Sequence, residues 1–319
     1  GEFVRRIGEL ALVGSVESGR ASPSALLGGI GRARRPSGPV VGLVVVVVCL
    51  VIGQTAGALV LAPVFGVPIG ALARGRADLA AQLAMLFSFL GVVGMLALWI
   101  RIKERRPFGS VGFFPASRVG AHLGIGAAVA VVLLGVPVGV NLLSGQFDVG
   151  AVHVAQVGGA FIALIGFAVQ ASTEEVITRG YLMQVTYRKW GLTAAVVLQA
   201  VVFSLLHGIN PNVSAVALIN ILLIALLLAF WALAEGGLWG VCAFHAVWNW
   251  LQGNVYGIEV SGMGVQTTML SIGGSPGSAE LLTGGGFGIE ASLLTTAVLA
   301  IGTALAYFAY RRRARSATR

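Results

Sequence analysis

Charge is scarce in this chain: 10% of its 319 residues are Asp, Glu, Lys or Arg, against 57% hydrophobic residues. With a mean hydropathy of +0.91, the sequence lacks the polar surface a soluble domain needs and has the composition of a membrane protein. Cysteine is nearly absent. Cys49 and Cys242 both sit in apolar runs, where a thiol behaves as a small apolar group, so neither a disulfide framework nor a cysteine-based zinc site follows. A glycine-rich phosphate loop is missing too. The 46 glycines recur in stretches such as "GIGAAVAVVLLGVPVG", where small residues let membrane helices approach closely.

A hydrocarbon core about 30 Å thick takes roughly 20 residues of helix to cross. Apolar runs of that length predict eight spans, at approximately 40–67, 79–100, 120–143, 157–185, 192–207, 213–234, 238–252 and 290–310, the fifth and seventh being short. The expected fold class is all-α, a polytopic membrane helix bundle of about eight transmembrane helices. Of the 21 Lys and Arg residues, nineteen fall on one side of such a bundle and only Arg74 and Arg76 on the other. By the positive-inside rule both termini then lie in the cytoplasm of a multi-pass cell-membrane protein. The net charge of +9 reports topology and attraction to anionic headgroups of the lipid bilayer, and gives no support to nucleic-acid binding. Residues 1–38 read as a disordered cytoplasmic tail, 39–310 as one transmembrane domain and 311–319 as a basic cytoplasmic tail. The Gly- and Ser-rich stretch 253–289 reads as a flexible outer loop.

Against this background, charges inside the apolar runs demand a reason, because each costs about 2.5–3.5 kcal/mol at a helix centre on insertion scales. Most polar residues of the second half fall in three patches: "STEEVITRG" (172–180), "FSLLHG" (203–208) and "HAVWN" (245–249). Glu175 and Arg179 are i,i+4 neighbours and can neutralise each other. Glu174 points about 100° away from that pair, which leaves its carboxylate free. Phe203 with His207, and His245 with Asn249, repeat the i,i+4 spacing. For these groups to meet at one depth, the fourth helix must run on through "GYLMQVTY", and this buries the Glu175–Arg179 pair. His122 and His153 fit no constellation, and Glu235 marks the turn between helices six and seven.

Together the patches resemble the three motifs of the CPBP family of intramembrane endopeptidases, which includes type II CAAX prenyl proteases and bacteriocin-processing enzymes. The family pattern is Glu-Glu-x-x-x-Arg, then Phe-x-x-x-His, then His-x-x-x-Asn or Asp, and all of these positions are matched over about residues 157–252. One departure is Thr178, where an aromatic residue is common. The resemblance implies hydrolysis of a peptide bond in a membrane-associated protein or peptide, of CAAX or leader type, by an activated water. Glu174 is then the general base, His207 helps to hold the water, and His245 with Asn249 stabilises the oxyanion. Glu175 and Arg179 form a structural ion pair. Glu174, His207 and His245 also have the donor types of a His₂Glu zinc site. Members of the family are commonly labelled metalloproteases, so the resemblance implies a zinc-dependent metalloprotease, with a metal-free glutamate mechanism as the alternative; no His-Glu-x-x-His helix is present. Two rivals stand beside the protease: a non-proteolytic relative acting as an immunity or scaffold protein, and a proton-coupled transporter. The latter should show inverted repeats with broken helices, and none is apparent.

Overall fold

The computed structural model describes residues 23–72, 76–114 and 117–316. Its long helices are α1 (Pro39–Val64), α2 (Leu79–Glu104), α3 (Val119–Leu143), α4 (Val157–Glu175), α5 (Met183–Leu206), α6 (Ala215–Glu235), α7 (Trp239–Trp250) and α8 (Leu293–Ser316). Six helical runs are long and apolar enough to cross a membrane, and one of them extends over 56 residues, Val154–Ile209. That run contains both α4 and α5. It is broken at Gly191, whose φ of 83° and ψ of 179° lie outside the helical region and suit a residue without a Cβ. The fourth and fifth expected spans are thus one hinged helical run. The seventh is shorter than a full crossing: α7 continues only through a wide π-helical turn at Leu251–Val255.

Helix α7 occupies the middle of the bundle, packed between α3 and α4, while α4 also lies against α2, and α6 against α5 and α8. Glycine makes the closest of these contacts possible. A Cβ on Gly91 of α2 would collide with the carbonyl oxygen of Gly53 in α1, and one on Gly126 of α3 with the carbonyl of Gly240 in α7. In lipid, where apolar burial drives association weakly, such backbone approach is what holds helices together.

Two expectations need correction. Of the supposed disordered tail, residues 1–22 lie outside the described residues. From Ser24 onward the chain is packed: Leu26 and Leu27 are fully buried, and the Ser24 hydroxyl donates to the carbonyl of Leu233. The described part of the basic C-terminal segment is helical, since α8 continues to Ser316. Nor is 253–289 a floppy loop. It forms a cap in which β2 (Leu270–Gly274) pairs antiparallel with β1 (Phe147–Val152). There Arg76 donates to Glu259 at 2.7 Å and to the carbonyl of Val265 at 3.0 Å. Glycine and serine serve close packing here: Gly257, at φ +75°, has no room for a Cβ beside the carbonyl of Leu270.

The α1–α2 contact yields a test. Gly91→Ala should lower the Tm in detergent, with a destabilisation of about 1–3 kcal/mol for forcing two backbones apart. Gly94→Ala, where a Cβ meets nothing within 4 Å, should leave the Tm unchanged or slightly raised. Equal Tm values for the two variants would show that the glycine contact does not set the helix spacing.

Candidate active site

Helix α4 does not stop at its two glutamates. It passes into a π-helical turn at Val176–Leu182 and on into α5, so the fourth helix runs through "GYLMQVTY" and accepts Gly180 within it. A Cβ on Gly180 would stand 2.7 Å from the carbonyl oxygen of Val111, so the position packs backbone against backbone. π-Helical turns inside α-helices are infrequent and often fall at functional sites.

Glu175 and Arg179 are both fully buried. The Arg179 Nη1 donates to Glu175 Oε1 at 3.1 Å and to the Thr178 hydroxyl at 2.9 Å. Thr178 in turn donates to the carbonyl of Glu174 at 2.6 Å. The hydroxyl that replaces the usual aromatic thus gives the guanidinium a second acceptor. Arg179 Nε and Nη2 make no hydrogen bond, and the guanidinium carbon lies 4.3 Å from the centroid of the Phe203 ring. That close cation–π contact gives the buried cation a second favourable partner.

The same Glu175 Oε1 lies 2.8 Å from His245 Nδ1. This contact spans 70 positions and joins the first motif to the third. It orients the imidazole so that Nε2 faces Glu174 Oε2 at 3.6 Å. Glu174 is held asymmetrically. Its Oε1 accepts from Gln170 Nε2 at 2.6 Å, while Oε2 is buried without a hydrogen-bond partner. Gln170 also accepts from Asn249 Nδ2 at 3.2 Å, and bridges the first and third motifs a second time. Because an amide NH₂ carries two donors, Asn249 keeps one in reserve. Gln170 was not singled out in the sequence, although it lies four residues before Glu174 and the i,i+4 rule points to it.

The second motif arrives mainly through its aromatic ring. Phe203 is 4.7 Å from the His207 ring and 6.1 Å from the His245 ring, centroid to centroid. His207 sits at the C-terminus of α5, with Nδ1 2.8 Å from the carbonyl oxygen of Phe203, which leaves Nε2 as its outward nitrogen. Among the described residues no three His, Cys, Asp or Glu side chains lie close enough together to hold a metal ion. The zinc set Glu174, His207 and His245 is therefore not assembled: Glu174 and His245 converge, and His207 does not join them as a third ligand. Trp248 is buried in the core. Glu235 does end α6, where its carboxylate accepts from the Gly240 backbone N–H at 2.9 Å and faces His122 at 3.5 Å. His153 lies in the outer cap, bonded to Ser271, beside an open cleft of about 540 Å³ that no motif residue lines.

Residues 156–251 match the family described as Type II CAAX prenyl endopeptidase Rce1-like. No curated protein and no solved structure matches the chain.

Removing one partner of a buried ion pair leaves the other charge uncompensated, at a cost of about 3–5 kcal/mol. Arg179→Ala should accordingly cut the yield of monodisperse protein and lower its Tm in detergent. Arg179→Lys, which keeps the charge but loses the planar stack on Phe203, should fall between the variant and wild type. A wild-type Tm in Arg179→Ala would refute the structural role.

Proposed function

We propose, from the match of residues 156–251 to the Type II CAAX prenyl endopeptidase Rce1-like family, that this membrane protein is an intramembrane endopeptidase. It hydrolyses a peptide bond of a membrane-associated protein or peptide, with a prenylated C-terminal segment and a leader peptide as the two substrate classes to test. The observation that carries the reading is the convergence of Glu174 Oε2 and His245 Nε2 at 3.6 Å, above a Glu175 that fixes the imidazole from behind.

In this mechanism Glu174 Oε2 takes a proton from water as the water oxygen bonds to the scissile carbonyl carbon. Gln170 keeps Oε1 occupied and so directs the reaction to Oε2. The negative charge that develops on the carbonyl oxygen is met by donors already aimed, His245 through Nε2–H and Asn249 through its second amide hydrogen. In that role both imidazole nitrogens donate, Nδ1 to Glu175 and Nε2 to the oxyanion. When the tetrahedral intermediate collapses, the C–N bond breaks and the proton held by Glu174 passes to the leaving amine. His207 approaches from the Phe203 side and orients the water or the substrate carbonyl through Nε2. No step depends on a metal ion. We place the basic loops and both termini in the cytoplasm, following their charge.

The test compares wild type with Glu174→Gln on prenylated and leader-type peptides in detergent, with and without a zinc chelator. Loss of a general base should lower turnover by at least about 10²-fold, with Glu174→Gln retaining the wild-type Tm. Cleavage that survives in Glu174→Gln would eliminate the mechanism. Cleavage lost on chelation and restored by zinc would replace the metal-free route with a zinc-dependent one.

A further inference from the structure

Largely outside the matched stretch, a partly buried connection runs between the two histidine-bearing segments of the site. On α7 and its π-helical extension, His245, Asn249 and Gln252 follow at spacings of four and three and share a face. Gln252, fully buried, donates through Nε2 to Glu290 Oε2 at 3.1 Å and to the carbonyl of Glu259 at 2.6 Å. The Glu290 carboxylate also accepts from the Ser261 backbone N–H at 2.6 Å and from the Ser261 hydroxyl at 3.1 Å. Ser261 carries the connection onward: its carbonyl accepts from Asn210 Nδ2 at 3.1 Å, three residues after His207.

Two further observations show that the junction is built rather than incidental. Ser261 has a φ of +49°, a left-handed conformation that costs a non-glycine residue energy and persists where neighbours enforce it. Its N–H and hydroxyl are both bound by the one carboxylate. The next residue, Gly262, lies so close to Pro211 that a Cβ would collide with the proline carbonyl oxygen, and its N–H donates to Phe287 at 2.8 Å. The turn after His207 is thereby pressed against the cap at Asn210, Pro211 and Asn212, the last donating to the carbonyl of Gly286 at 3.2 Å. Glu290 itself is anchored from α6, where Asn220 donates to its backbone carbonyl at 2.7 Å.

We propose that Glu290 is a positioning residue of the proteolytic site, tying the His207 turn to the His245 face of α7 through Gln252, Ser261 and Asn210. The proposal rests on the proteolytic reading above. His207 shares no direct ligand or hydrogen bond with Glu174 or His245, so its placement depends on Phe203 from one side and on this tie from the other. Phe203 holds the root of the imidazole; Glu290 holds the turn that follows it.

The experiment uses the full chain in detergent and two readouts. Glu290→Gln and Glu290→Ala weaken the tie at its centre, and Asn210→Ala cuts it at the His207 end without opening the buried carboxylate site. Hydrogen exchange should accelerate in the 207–213 peptide of each variant while the 157–182 segment keeps wild-type protection. On whichever of the two peptide classes wild type cleaves, kcat should fall by up to about 10²-fold, the scale expected for a catalytic group misplaced by about 1 Å. KM should stay within about twofold, and Glu290→Gln, which keeps one acceptor, should retain more activity than Glu290→Ala. Unchanged exchange at 207–213 in Asn210→Ala would show that no tie exists. Faster exchange with unchanged kcat would show that the tie positions nothing. A wild type that cleaves neither peptide removes the proteolytic reading and the positioning role together, whereas wild-type cleavage unaffected by all three variants overturns Glu290 alone.

Discussion

A single carboxylate oxygen, Glu175 Oε1, holds the site together. It accepts from Arg179 at 3.1 Å and lies 2.8 Å from His245 Nδ1, and Arg179 lies over Phe203. The three motif-bearing segments, on α4 with its π-helical turn, on α5 and on α7, meet around that atom. Such an arrangement is expensive: a buried ion pair recovers little more than its own desolvation. Glu175 Oε2 and two guanidinium nitrogens remain without hydrogen bonds. The pair therefore does little for stability beyond cancelling its own cost. What it supplies is orientation of an imidazole across 70 residues of sequence.

A π-helical turn carries the first motif on into α5. A regular α-helix would rotate Arg179 and the residues after it by a fixed 100° per position. The widened turn shifts that phase and gives the whole 176–182 segment a buried environment, including Gly180 against the Val111 carbonyl. On the other flank Thr178 bonds back to the carbonyl of Glu174, satisfying an acceptor that the irregular turn disturbs. The helix passes through the bundle with Glu175 and Arg179 enclosed, and breaks only at Gly191, between the first motif and the second.

Local regularities made much of this legible in the sequence. The apolar runs located the helices, and i,i+4 spacing paired Glu175 with Arg179. The need for a common depth required the fourth helix to continue past Gly180. Three things were not legible, for a shared reason: they depend on contacts between distant segments. The His245 bond to Glu175 has no sequence spacing to announce it. Leu26 and Leu27, in a stretch of mixed composition, gave no sign of packing into the core. The cap from 253 to 289 looked flexible because it is rich in glycine, yet Gly257 and Gly262 are there because neighbouring backbone leaves no room for a side chain. Composition reports freedom of the unfolded chain, while the fold uses the same residues for close approach. The zinc set was no more legible, since matching donor types carries no distances, and His207 ends its helix facing a carbonyl of its own chain.

Adjacent glutamates of identical chemistry end with opposite roles because their surroundings differ in saturation. Glu175 is enclosed at 0% exposure, its Oε1 shared between a guanidinium and an imidazole, so a proton arriving there would have to displace bonds that hold three helices. Glu174, one residue earlier and turned by about 100°, has a side chain 16% exposed, one oxygen bonded to Gln170 and the other open toward His245 Nε2. Of the two, only Glu174 can change its hydrogen-bond state without disturbing the scaffold. On the proposed mechanism, a pair of neighbouring carboxylates in an apolar helix therefore divides the work by geometry: the saturated one fixes the architecture, and the half-satisfied one is left to react.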